Sequence, residues 1–296
     1  MRVLVTGAGG QLGRELARTV PEGTEARCLS SRDLDLTDED AVLRMVREIR
    51  PAAIVNAAAY TAVDRAESEP EAAFAVNARG TAHLAAAAAA CGARLIHVST
   101  DFVFDGRKSS PYLPTDPTGP LSVYGRSKLE GEQTLAGLVA ERRCAVIRTA
   151  WVYSRWGKNF VKTMLHLMTT RESLRVVADQ VGSPTWAHDL ALGCWMALDS
   201  GAAGMFHLTA AGVASWYDFA VAIQEEALAL GILRKEISIH PIRTEEYPTP
   251  AARPAYSVLD TRSFGEATGW RPRHWRASLR DMLKDVRALG WAEENP

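Results

Sequence analysis

One segment, Val3-Leu4-Val5-Thr6-Gly7-Ala8-Gly9-Gly10-Gln11-Leu12-Gly13, constrains the fold of this 296-residue chain more than any other. A short β-branched run feeds a GxxGxxG turn, and a helical pattern follows from Gln11 to about Thr19. In such a turn Gly7 permits the tight bend, Gly10 lets the backbone approach a pyrophosphate, and Gly13 lets helix and strand pack closely. The free N–H groups where the helix opens, at Gln11 and Leu12, favour an anion. Further apolar runs at 26–29, 53–55, 94–98 and 144–148 alternate with helical stretches. That alternation predicts βαβ units and an α/β fold, a doubly wound parallel sheet of the Rossmann type. A dinucleotide site is the expectation at its first turn.

Two long helices are predicted, Glu71 to Cys91 with Gly92 as its C-cap, and Leu121 to Leu138. Beyond Trp151, Pro-containing segments (Ser183-Pro184, His240-Pro241, Arg253-Pro254) alternate with short helices near 160–169, 187–199, 215–230 and 276–289. This pattern reads as a smaller, mixed α/β substrate lobe. Met205–Leu208 can return to the main sheet. The expected division is therefore a dinucleotide-binding domain of 1–151 rejoined by 187–209, with 152–186 and 210–296 forming the lobe.

Composition excludes several classes. With 47% apolar residues and a net charge of −1, the chain can bury a full core and is not disordered. Its 34 basic residues form no block, so no nucleic-acid surface is expected. Cys28, Cys91, Cys144 and Cys194 are dispersed and form no CxxC, which argues against a disulfide framework or a zinc site. The longest apolar run, Leu84 to Cys91, is far short of the ~20 residues that span a bilayer, and the chain opens directly on an apolar strand. A cytoplasmic protein without a membrane partner is expected.

Several residues point to chemistry. The second strand ends in Ser30-Ser31-Arg32, with no acid to meet a free ribose 2′-hydroxyl. Ser30 and Arg32 suit a 2′-phosphate, so NADPH is favoured and NADH is the alternative. Asp35 and Leu36 stand where an adenine edge would lie, although Asp33, Asp35 and Asp38 also read as a helix-capping cluster. After Asn56, the small residues Ala57, Ala58 and Ala59 leave room for a ring or ribose; Asn77 reads as a buried structural amide.

The constellation that decides the reading is Ser99-Thr100-Asp101 at the end of one strand, followed by Tyr124-Gly125-Arg126-Ser127-Lys128 opening the next helix. Tyr and Lys at i and i+4 share a helix face. A neighbouring ammonium is expected to lower the phenol's pKa of ~10 and make Tyr124 a usable acid or base. Thr100 or Ser99 can donate to a carbonyl oxygen as alkoxide character develops. YxxxK alone is common by chance. Behind a Gly-rich turn and a Ser/Thr strand end, it is not.

These residues together resemble the extended short-chain dehydrogenase/reductase superfamily and, within it, the dTDP-4-dehydrorhamnose reductase family. The matching stretches include GAGGQLGREL (7–16), NAAAYTAVDRAE (56–67), STDFVFDG (99–106), YGRSKLEGE (124–132), RTAWVYS (148–154) and RPAYSVLD (253–260), and such stretches cover nearly the whole chain. The resemblance implies hydride transfer from NAD(P)H to C4 of dTDP-4-dehydro-6-deoxy-L-mannose, a nucleotide sugar. It implies Tyr124 as proton donor, Lys128 as its partner and ribose ligand, and Thr100 as carbonyl ligand. Asp101, Phe102 and Trp151 would line the sugar pocket, with Asn159 and Arg253 at the diphosphate. Some members are dimers bridged by magnesium on carboxylates, one of which matches Glu15. Here His188 stands where a partner acid would be sought, and Mg²⁺ prefers oxygen, so no metal site is expected unless Asp189 substitutes. Glu15 then reads as a plain surface residue of a first helical turn.

Two other readings share part of this pattern. A dehydratase or epimerase shares the fold, but dehydratases of the superfamily carry Thr-Asp-Glu where this chain has Thr100-Asp101-Phe102. A non-enzymatic partner protein, like the regulatory subunit of methionine adenosyltransferase, fits poorly with retention of Thr100, Tyr124 and Lys128.

Overall fold

A computed structural model describes residues 1–290 of the chain, so the last six residues of the 210–296 stretch lie outside the described region. Each apolar run becomes a strand: β1 (Arg2–Thr6), β2 (Glu25–Leu29), β3 (Ala53–Asn56), β4 (Arg94–Thr100) and β5 (Cys144–Thr149). With a sixth strand at Gly204–His207 they form one parallel sheet, ordered Gly204–His207, β5, β4, β3, β1, β2. From β1 the chain moves outward to β2, then crosses to the other side of β1 to begin β3. That reversal opens a crevice at the strands' carboxyl ends, the place where doubly wound sheets bind ligands.

Strand alternation sends the two faces to separate cores. Leu4, Ile54 and Val146 pack under α2 (Glu39–Ile49) and α5 (Gly80–Cys91). Val3, Val5 and Val55 face the other way, toward α1 (Gln11–Arg18) and the helix Ala187–Asp199. A third core joins the helices Phe160–Thr170, Trp216–Ala229 and Trp275–Ala288 around Phe219 and Leu279. Among the described residues no helix is long and apolar enough to cross a membrane.

Both long helices differ from the sequence expectation. The stretch Glu71–Cys91 is interrupted: after the short helices α3 (Val63–Ala66) and α4 (Pro70–Phe74), a π turn at Ala75–Arg79 precedes α5. The widened turn carries Asn77 inward, where its amide accepts from Tyr60 N and donates to Ser127 Oγ, at 2.8 and 2.9 Å. Gly92 closes α5 in the left-handed conformation. The second helix, α6, spans only Val123–Thr134. Ser122 caps its start, and Thr134 donates back to the Gly131 carbonyl beside the break at Leu135, before a separate helix at Ala136–Ala140.

Candidate active site

Two adjoining clefts occupy the crevice. The first, about 640 Å³, lies between the turn after β1 and the loops after β2 and β3, and is lined by Gly7, Gly10, Ser30, Arg32, Asp35 and Leu36 among others. The second, about 540 Å³, runs over the ends of β4 and β5 and is lined by Gln11, Leu12, Thr100, Tyr124, Lys128 and Trp151 among others. Gly9, Gly10, Ala57 and Ala59 line both, so the two form one trough.

The dinucleotide end is built by backbone. Gly7 has φ +73°, and a Cβ there would lie 2.6 Å from Ala57 backbone. A Cβ at Gly13 would lie 2.1 Å from the Gly7 carbonyl, so Gly13 serves helix–strand packing and lines neither cleft. Gly10 precedes α1 in extended conformation, with no side chain capping the helix, which leaves the first N–H groups available to an anion. Ser30 donates from both N and Oγ to Asp33, whose carboxyl is thereby held below the usual range. Arg32 is exposed and makes no ion pair among the described residues. Asp35 accepts from Thr37 and Asp38 caps α2, so the capping role is real, while Asp35 and Leu36 also line the cleft. The cradle fits a dinucleotide by shape and by donors.

At the chemical end, β4 delivers Thr100 in register with Thr149 of β5. Thr100 Oγ1 donates to Asp101 Oδ1 at 3.0 Å and accepts from Phe102 N at 3.2 Å. Ser99 Oγ and Thr149 Oγ1 are buried without a partner among the described residues. Tyr124 stands on the first turn of α6, edge-on to Phe102 with ring centroids 5.5 Å apart. Burial pushes its phenol up to about 12; the Thr100 hydroxyl opposes this and the Asp101 carboxylate adds to it. The sequence expectation of a lowered pKa is thus not met here. Lys128 Nζ instead donates to the Val98 carbonyl at 2.8 Å and lies 3.3 Å from His97 Nε2. Burial brings Lys128 down to about 8, with Glu132 opposing.

The far wall is aromatic. Trp151 adopts φ +49° and stacks on Trp216, centroids 3.5 Å apart and planes 3° from parallel. Asn159 caps the helix Phe160–Thr170 through Oδ1, and its Nδ2 donates to Gln11 Oε1 at 3.0 Å, tying the wall to the glycine turn. Arg253 is not brought into either cleft. It donates to Asp64 at 2.9 Å and also bonds Thr249.

Glu15 corrects the surface reading: its side chain is fully buried, and Oε2 lies 2.8 Å from Arg18 and 3.6 Å from His188. The Arg18 guanidinium and the His188 ring thus flank the Glu15 carboxylate, and Asp189 accepts from Ser278. With a guanidinium and an imidazole rather than further carboxylates beside Glu15, the residues around it do not offer the oxygen set that Mg²⁺ prefers.

The chain matches the family model described as the RmlD substrate binding domain over residues 1–288. It is 43% identical to a dTDP-4-dehydrorhamnose reductase of Aggregatibacter actinomycetemcomitans, over 95% of this chain and 98% of the relative. The chain belongs to the dTDP-4-dehydrorhamnose reductase family. Among solved members of the family, one from Clostridium acetobutylicum aligns with TM-score 0.91 at 41% identity, covering 97% of this chain and 100% of that one. Another, from Bacillus anthracis in complex with NADP, aligns with TM-score 0.90 at 36% identity, covering 96% and 99%. Two groups of the site escape motif reading. His97 was hidden inside an apolar run, where only its polarity in a buried strand could have drawn attention. Trp216 lies in a segment without a motif, and only its contact with Trp151 exposes its role.

Proposed function

We propose that the protein reduces the C4 ketone of dTDP-4-dehydro-6-deoxy-L-mannose to dTDP-L-rhamnose with NADPH. The observation that carries this reading is Thr100 and Tyr124 facing the same trough as the glycine turn, in a chain of this family. The Bacillus anthracis relative holds NADP, and exposed Arg32 with no acid paired to it supports a 2′-phosphate here over NADH. The glycine turn, Ser30, Arg32 and Ala57 to Ala59 would hold the cofactor, with Lys128 at its nicotinamide ribose. When bound, the reduced nicotinamide supplies the hydride that C4 gains.

The protein's own groups handle the oxygen. Thr100 Oγ1 reorients from Asp101 to the carbonyl oxygen, a bond that strengthens as negative charge grows there. A phenol near 12 keeps its proton at neutral pH, the form a proton donor requires. Tyr124 passes that proton to the oxygen as C4 is reduced, and the charged form of Lys128 offsets the phenolate left behind. Trp151 supplies an apolar wall that excludes water from the sugar.

Purified protein is expected to oxidise NADPH stoichiometrically with the 4-keto sugar nucleotide and to release both products; oxidation-free interconversion of sugars would reject reduction in favour of epimerisation. Tyr124→Phe should retain NADPH binding and lose at least ~10²-fold in rate, the scale of one general-acid contribution. An unimpaired variant removes Tyr124 from the role. Arg32→Ala should lower the preference for NADPH over NADH, and an unchanged ratio would discard the 2′-phosphate contact.

A further inference from the structure

Beneath Lys128 a line of buried polar side chains crosses three strands. Thr6 of β1 is in register with Asn56 of β3, which is in register with His97 of β4, so the three stand side by side on one face. All are buried, His97 completely. Asn56 Oδ1 accepts from Thr6 Oγ1 at 2.7 Å and from the Ala58 backbone N–H at 3.1 Å. Asn56 Nδ2 lies 3.0 Å from His97 Nδ1, and His97 Nε2 lies 3.3 Å from Lys128 Nζ.

Hydrogen inventory settles the direction of this line. A backbone N–H can only donate, so Ala58 fixes which end of the Asn56 amide is oxygen. The opposite end, Nδ2, carries hydrogens and no usable lone pair, so His97 Nδ1 must accept and bears no proton. The imidazolium, with hydrogens on both nitrogens, is excluded for the same reason. Burial works in the same direction and keeps His97 well below its ordinary range. A neutral ring with bare Nδ1 carries its hydrogen on Nε2, the nitrogen that faces Lys128. An ammonium has three donors and no acceptor, whereas a free amine has a lone pair to receive that hydrogen while still donating to the Val98 carbonyl.

We propose that His97 is a positioning residue for Lys128: locked by Asn56 as its Nε2–H tautomer, it presents a donor to the lysine nitrogen and favours the amine over the ammonium. The other titratable groups around the pair are few. Glu132 lies one turn along α6 and favours the ammonium, but it is itself paired with Arg148 of β5 at 2.7 Å. Tyr124, on the same helix, and Asp101, at the end of β4, face the cleft above. His97 and burial therefore act together against Glu132, and Lys128 gives up its charge close to working pH.

Two measurements test this. The first is the ¹⁵N spectrum of the wild-type protein labelled at histidine, which separates the two neutral tautomers and the imidazolium. His97 is expected as the Nε2–H form, unchanged from mildly acidic to mildly alkaline pH. An Nδ1–H signal, or a titrating ring, overturns the proposal. The second is Asn56→Asp, nearly identical in shape. Its carboxylate accepts from Nδ1–H, which strips the hydrogen from Nε2 and turns that nitrogen into an acceptor for the ammonium. The alkaline limb of kcat, where Lys128 loses its charge, should then move to higher pH by roughly one unit, the size of a neighbouring-group effect. A limb that stays in place would overturn the proposal, and because the new charge alone can move it, the shift counts for the proposal only where the variant's ring is seen as the Nδ1–H form. The kinetic arm rests on the reductase reading and the spectroscopic arm does not. If the protein shows no reductase activity, or the variant fails to fold, the tautomer of the wild-type ring still decides.

Discussion

Asp101 is an electrostatic liability at the mouth of the site. Its carboxyl is buried, accepts from Thr100 through Oδ1, and leaves Oδ2 without a partner among the described residues. Burial pushes it up to about 6, against the opposing influence of the Ser257 and Thr100 hydroxyls. Below the ordinary carboxyl range both folded and unfolded chains hold the proton, and the folded state incurs no penalty. As pH rises past the ordinary carboxyl range the unfolded chain ionises while the folded protein keeps its proton, so stability falls from about pH 4 until the buried group itself charges at about 6, and it stays low above that. The amount at stake is on the order of 3 kcal/mol. Asp101→Asn should therefore raise the unfolding temperature at pH 8 and leave it nearly unchanged at pH 4. A variant equally destabilised at both values would mean that the charge is compensated. The carboxyl bonds Thr100 and raises the Tyr124 phenol, so its charge is felt by both groups proposed to meet the substrate oxygen.

At the level of elements, the strands and the glycine turn were legible because each is written locally: β-branched runs, and glycines where no Cβ fits. The Tyr124–Lys128 pair was legible because helical spacing puts both on one face. What spacing cannot convey is where Lys128 ends. Its nitrogen turns down to Val98 and His97, a matter of how α6 seats on β4, so the expected acidification of the phenol gave way to burial. The widened turn inside the first long helix was invisible for a related reason. Its alanines favour helix throughout, and the π turn exists to bring Asn77 to Tyr60 and Ser127, contacts distant in sequence. Glu15 was misread because its partner His188 arrives from a helix far along the chain. The aromatic wall is likewise a product of assembly. Trp151 is held in a left-handed backbone conformation between Trp216 on one helix and Gly182, where a Cβ would lie 2.6 Å from the indole. Gly182→Ala must shift that ring. The expected result is an increase of about tenfold in KM for the nucleotide sugar, about 1.4 kcal/mol of lost binding, with NADPH affinity unchanged. Unaltered KM would take Trp151 out of the sugar wall.

Across the whole molecule, the contact between Asp64 and Arg253 joins two distant parts of the chain. Asp64 lies on α3 next to Val63, which lines the second cleft; Arg253 comes from the Pro-containing segment between the helices Trp216–Ala229 and Trp275–Ala288 of the third core. Both side chains are partly exposed, so the pair itself contributes only about 0–1 kcal/mol to stability. Its interest lies in competition. A guanidinium grips a diphosphate with the same fork that it offers a carboxylate, and a dianionic ligand outcompetes a screened surface acid. If Arg253 exchanges Asp64 for the substrate's diphosphate, the ion pair acts as a resting place that the ligand must displace. The two partners then have opposite signatures. Arg253→Ala should raise KM for the nucleotide sugar about tenfold or more, the scale of a lost charge-assisted hydrogen bond. Asp64→Asn should lower KM a few-fold, because the guanidinium is released without being removed, and unfolding temperature should barely change. Parallel effects of the two substitutions would show that the pair is only a structural tie between segments. Opposite effects would place Arg253 on the substrate and make closing of the segment around it part of binding.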